Sequence, residues 1–181
     1  MKRLFFGLEL PDSIREELGG LELRVKGARM VPVEQIHLTM SFLGNVDSER
    51  EERLREALEA MRVPGAFFLP VMGVGVFGGD WPKVVWAGVG KGHPHLFALH
   101  QHLQDAVLQA GLEPDLKPFH PHITIARLRE VSRQSLKPFL RMHEGREFGL
   151  WKVTEVVLFS SVVSGEGATH TVEMRREMAA P

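Results

Sequence analysis

The chain has 181 residues with no cysteine and no tyrosine, and a single asparagine, Asn45. Without cysteine there is no disulfide framework, no thiolate metal site and no cysteine nucleophile. No apolar run approaches the roughly 18 residues of a membrane-spanning helix. The amino-terminal Met1-Lys2-Arg3-Leu4-Phe5-Phe6 is too short an apolar run for a signal peptide and reads as a first strand, so a cytoplasmic protein is expected. Charge of one sign is missing too. A net charge of −1 removes the global positive field of many nucleic-acid binders, although 22 lysines and arginines leave room for a local basic cleft. The apolar fraction of 44% and charged fraction of 25% are ordinary for a globular chain, and the length suits one domain or two small intertwined lobes.

Against that background two segments stand out, His37-Leu38-Thr39-Met40 and His122-Ile123-Thr124-Ile125, each set in an apolar run. Side chains alternate between the faces of a strand, so His37 and Thr39 share one face while Leu38, Met40 and Phe42 take the other. The same arithmetic separates His122 and Thr124 from Ile123 and Ile125. Two such strands side by side bring two imidazoles and two hydroxyls to one cleft with an apolar layer behind them.

The rest of the chain is patterned as strand, helix, His-x-Thr-x strand, helix, strand, and then the same five elements again. Leu4 to Leu10 reads as a strand. Ser13 and Glu16 match a capping box for a helix over 13–26, apolar at Ile14, Leu18, Leu21 and Val25, weakened by Gly19-Gly20 and stopped by Gly27. Ile36 to Leu43 carries the first motif. Ser48 and Glu51 repeat the capping box for a second helix with Leu54, Ala57, Leu58 and Met61 on its apolar face. Its charges from Arg50 to Glu59 read as a solvated surface. Strands over 66–76 and 84–89 flank the turn Gly78-Gly79-Asp80-Trp81-Pro82. Gly73-x-Gly75-x-x-Gly78 superficially matches a dinucleotide fingerprint but precedes no helix, and is read as strand with close backbone contacts.

A third helix runs from Leu96 to Ala110 and ends at Gly111; 119–128 is the strand of the second motif. A short helix near 132–142 contains Pro138, and strands over 153–160 and 168–175 close a hairpin across Gly165-Glu166-Gly167. Each motif follows the first strand of its half by about 35 residues, which predicts a diverged internal duplication, about 1–76 and 83–175, with a pseudo-twofold axis. The fold class expected is α+β: one bilobal domain over 1–181, two pseudo-symmetric lobes of mainly antiparallel sheet with helices outside and the active-site cleft between them.

An imidazole, with an ordinary pKa of about 6.5, donates or accepts a proton near neutrality. Two of them on opposite sides of a phosphorus atom divide the work, one deprotonating the attacking group and the other protonating the leaving oxygen. Threonine hydroxyls two residues along can donate to the non-bridging phosphate oxygens.

With these motifs the chain resembles the two-histidine (2H) phosphoesterases, and within them the RNA 2′,3′-cyclic phosphodiesterases long called 2′-5′ RNA ligases. The likeness is carried by Arg3-Leu4-Phe5-Phe6 with Leu10-Pro11, by Val31-Pro32 through the first motif to Phe42-Leu43-Gly44, and by Val85-Trp86-Ala87-Gly88. It continues through Pro118-Phe119-His120-Pro121, the second motif and Ala126-Arg127 to Leu158-Phe159-Ser160-Ser161. The resemblance implies hydrolysis of a terminal 2′,3′-cyclic phosphate to a 2′-phosphomonoester with no metal and no nucleotide cofactor. It implies His37 as proton donor to the departing 3′ oxygen and His122 as the proton acceptor that activates water. Run in reverse, the same site joins a 5′-hydroxyl to a cyclic phosphate through a 2′-5′ linkage, a secondary activity because ligation needs two bound ends and competes with water.

Thr39, Thr124 and Arg127 are the implied phosphate-binding residues. Strict alternation puts Arg127 opposite His122, so its phosphate contact needs a bend or bulge just past Ala126. Phe42, Trp86 and Phe119 are candidates to stack on a base, and each also suits a core position. Where many relatives have tyrosine in the last hairpin, this chain reads Ala168-Thr169-His170-Thr171. The implied partner is RNA with a cyclic phosphate end, with no membrane; monomer is the default state.

Two other readings compete. The pairs His93-x-His95, His100-x-His102 and His120-x-His122 have the spacing of strand metal ligands, but carboxylates are missing close around the last pair and prolines interrupt two of the three. A single-strand RNA-binding module would use the motif histidines only to contact phosphate; titratable groups at matched positions favour catalysis over binding alone.

Overall fold

The apolar run after Met1 forms strand β1 (Lys2–Glu9) in the computed structural model, which describes residues 1–165 and 167–180. Leu4 to Leu8 are all buried, which a strand permits when both of its faces are covered. Leu4, Phe6 and Leu8 enter the main core, whereas Phe5 joins Val157 and Phe159 in a separate apolar cluster.

Helix α1 (Asp12–Gly19) follows, then the short strand β2 (Ala28–Met30), β3 (His37–Val46), α2 (Ser48–Ala60) and β4 (Phe67–Phe77). The second half contributes β5 (Val84–Gly88), α3 (Pro94–Gln109), β6 (Ile123–Leu128), α4 (Arg133–Met142), β7 (Glu147–Val153), β8 (Glu155–Ser164) and β9 (Gly167–Glu177). All ladders are antiparallel, in the order β7-β4-β5-β6-β3-β1-β8-β9, with β2 against β6. This is the expected α+β class. Counted outward from the central pair, β6-β5-β4-β7 on one side mirrors β3-β1-β8-β9 on the other. Among the described residues no helix is long and apolar enough to cross a membrane.

Several boundaries differ from the sequence reading. Helix α1 ends at Gly19 rather than near 26, and Gly20 caps it with its N–H donated to the Glu16 carbonyl. Neither capping box forms: α1 has no side-chain cap, and α2 is capped by Asp47, which accepts from the Arg50 N–H. Glu51 is instead buried and paired with Lys2 and Arg55, so the α2 charge run is not wholly a solvated surface. The β6 ladder begins at Ile123 rather than 119, where Pro118 and Pro121 offer no N–H to a partner. A strand absent from the reading, β7, precedes β8, with Thr154 between them. The β8–β9 hairpin pairs as far as Ser164 and Gly167, while Glu166 of the expected turn lies outside the described residues.

Candidate active site

The two motifs meet at the centre of the sheet. Strands β3 and β6 pair antiparallel at Leu38 and Ile123, both fully buried in the main core. That register sets His37 alongside Thr124 and Thr39 alongside His122, all on the opposite face from the core.

Beyond the motifs, strict alternation fails in both strands at the same place. In β3 the pairing with β1 steps from Thr39 to Ser41, and Met40 and Ser41 are both buried. In β6 the pairing with β5 steps from Thr124 to Ala126, and Ile125 and Ala126 are both buried. Each step is a β-bulge, which returns the next side chain to the histidine face. Phe42 therefore does not take the face of Leu38 but stands on the cleft side, 61% exposed. Arg127 reaches the cleft by the bulge its contact requires, one residue earlier than expected.

Each histidine is oriented by the chain just before it. Nδ1 of His37 lies 2.7 Å from the Gln35 carbonyl and Nδ1 of His122 lies 2.7 Å from the His120 carbonyl. A carbonyl can only accept, so both rings carry their proton on Nδ1 and direct the Nε2 lone pair elsewhere. At His37 that lone pair accepts a hydrogen bond from the Thr39 hydroxyl at 2.8 Å. Burial, the largest cause, lowers the His37 pKa to about 4; the Gln35 hydrogen bond opposes this, and His170, Arg127 and His122 add to it. Burial also lowers His122, against the hydrogen bond to His120. Both imidazoles are thus neutral at pH 7 in the free protein.

Aromatic rings surround them. Phe5 lies 5.1 Å from His37, 5.0 Å from Phe159 in a stacked pair and 5.9 Å from Phe42. His170 stands edge-on to His37 at 5.2 Å. Across the centre, Phe77 meets His122 edge-on at 4.7 Å and Trp86 at 5.5 Å. Trp86 is opposite Thr124 and covers Gly75, where any Cβ would strike the indole. This is the close contact that the Gly73-x-Gly75 segment serves. Phe119, by contrast, lies flat against His100 of α3 at 4.1 Å, so one of its faces is already covered. Phe5, Phe77 and Phe159 were not picked as site residues from the sequence, although Phe5 and Phe159 lie in segments that carry the family likeness; unbroken burial from Leu4 to Leu8 and from Val156 to Phe159 hides any alternation there. The other histidine pairs belong to α3: His93 caps it by accepting from the His95 N–H, and His100 and His102 lie within it.

An open antiparallel sheet with two His-x-Thr strands paired at its centre defines a two-histidine phosphoesterase. A family model described as the 2′-5′ RNA ligase superfamily matches residues 10–164, and the chain belongs to that superfamily. A relative from Escherichia coli (strain K12), named RNA 2′,3′-cyclic phosphodiesterase, is 34% identical over 180 residues, 97% of this chain and 95% of its own. A relative of the same name from Archaeoglobus fulgidus is 31% identical over 169 residues, 91% of this chain and 94% of its own. The crystal structure of E. coli LigT complexed with 3′-AMP superposes with a TM-score of 0.82 at 29% identity, covering 98% of each chain.

Proposed function

We propose that this protein hydrolyses the 2′,3′-cyclic phosphate at an RNA end to a 2′-phosphomonoester, by acid–base catalysis that requires no metal. The observation that carries this reading is the antiparallel meeting of the two His-x-Thr strands at Leu38 and Ile123. Water attacks phosphorus while His122 Nε2 takes its proton; the bond from phosphorus to the 3′ oxygen breaks and that oxygen receives a proton from His37 Nε2. Thr39, Thr124 and Arg127 hold the non-bridging oxygens. An arriving phosphate offsets the positive groups that depress His37, and so favours its protonated, donating form. Phe42 offers an exposed ring for a base, and Trp86, half-buried over Gly75, stands beside Thr124. In reverse the site forms a 2′-5′ linkage when a 5′-hydroxyl replaces water.

We also read the chain as a diverged duplication. The burial sequence and bulge of 37–42 recur at 122–127, and the sheet order is matched about that centre, which supports the reading.

The test is turnover of a short oligonucleotide ending in a 2′,3′-cyclic phosphate, in EDTA, by the intact protein, His37→Ala and His122→Ala. We expect a 2′-phosphate from the intact protein, with each variant lower by at least about 10². Threonine substitutions should cost far less. Equal product from all three proteins would sink the proposal.

A further inference from the structure

One titratable ring in the cleft has no part in the reaction above. His170 sits on the edge strand β9, opposite Ser161 of β8. Its ring fills the angle between His37, at 5.2 Å and 81°, and Phe5, at 4.9 Å and 70°, with Phe159 at 6.3 Å. Neither of its nitrogens bonds to another described residue, and neither is sealed from solvent. In His37 and His122, by contrast, Nδ1 is tied to a carbonyl.

Arg127 of β6 acts on both rings, and His170 and His122 act on His37. The guanidinium of Arg127 is the cation among these groups, and Glu9, opposite His37 in the β1–β3 ladder, is engaged by Arg175 instead, so an anion arriving at the His37 end meets a positive field.

We propose that His170 is a phosphate-binding residue of this cleft: it takes up a proton when phosphate arrives and, with Arg127, holds the anion at the His37 end. The inference rests on the phosphodiesterase reading, and it leaves the His122 end for the attacking water. Burial and Arg127 lower the His170 pKa in the free protein, so the ring begins neutral and gains its charge only against the ligand.

Calorimetric titration with adenosine 2′-monophosphate, in buffers of different ionisation enthalpy, tests it on the wild type, His170→Gln and His170→Phe. Glutamine can donate a hydrogen bond but cannot titrate; phenylalanine keeps the ring packing but does neither. Both variants should take up fewer protons on binding, and at acid pH should bind about tenfold more weakly, a gap that closes as pH rises. Wild-type affinity and proton uptake in the phenylalanine variant would reduce His170 to a space-filling ring and overturn the inference alone. A wild type that neither binds the monoester nor turns over a cyclic phosphate would overturn the phosphodiesterase reading, and this inference with it.

Discussion

Burial gives His37 a pKa of about 4, yet its proposed role is to donate a proton. The fraction carrying that proton falls as pH rises through about 4, while the fraction of His122 free to accept one rises through a value below the ordinary 6.5. The productive free form thus pairs the more acidic imidazole, protonated, with the less acidic one, neutral. A bell-shaped profile of kcat/KM follows, its plateau on the acid side of pH 6.5. For kcat the donor's limb should move to higher pH, because bound phosphate places negative charge beside His37 and counters the positive charge of Arg127. Arg127→Ala should raise the same limb in kcat/KM by removing that positive charge, while weakening substrate binding about tenfold. Initial rates across pH with a cyclic phosphate substrate measure both. A kcat/KM that rises to a plateau above pH 7 would mean that no protonated imidazole is needed and would sink the donor role of His37.

At the scale of elements, the two bulges aim the site, and one of them is tied from behind. Ser41, buried at the β3 bulge, accepts from Gln104 Nε2 at 3.0 Å, and Gln104 Oε1 accepts the Asp115 N–H at 2.9 Å. Gln104 is itself buried on α3, so one side chain joins the strand of the first motif to the loop that leads into the second. Gln104→Leu leaves a buried hydroxyl and an amide without that partner and should cost about 1–3 kcal/mol, read as a lower urea midpoint. An unchanged midpoint would mean that the tie contributes nothing. The apolar periodicity of α2 and α3 was legible because it is local, and the meeting of the two His-x-Thr strands was legible because the motif itself repeats, although its copies lie far apart in the chain. Bulges are not legible in this way: alternation sent Phe42 and Arg127 to the wrong face, and one added residue in each strand reverses both. Glu51 likewise promised a cap until Lys2, far away in sequence, engaged it. Strand β7 depends on β4 for its ladder, and His170 was legible only as a departure from tyrosine.

For the whole molecule, the order of strands decides how the two lobes share their stability. Strands β3 and β6 pair at one position, which by itself is a slender join. The chain nevertheless interlocks: β4 of the first half lies beside β5 and β7, and β8 of the second lies beside β1. Helix α1 packs on β7, with Ile14 where a side chain at Gly149 would stand, and one apolar core draws residues from both halves. Lys2 and Arg55 each pair with both Glu51 and Glu173, pinning β1, α2 and β9 together. Neither half holds a complete set of its own neighbours, so the lobes should unfold in one transition. Trp81, Trp86 and Trp151 all lie on the β4–β7 side, so tryptophan fluorescence reports that lobe while far-ultraviolet circular dichroism reports both. The two denaturation curves should coincide. Leu58→Ala, in a fully buried position of α2, should cost about 2–5 kcal/mol and shift both curves equally, although no tryptophan lies in its helix. A fluorescence transition that stayed in place while the dichroism moved would mean that the lobes are held together by the central pair alone.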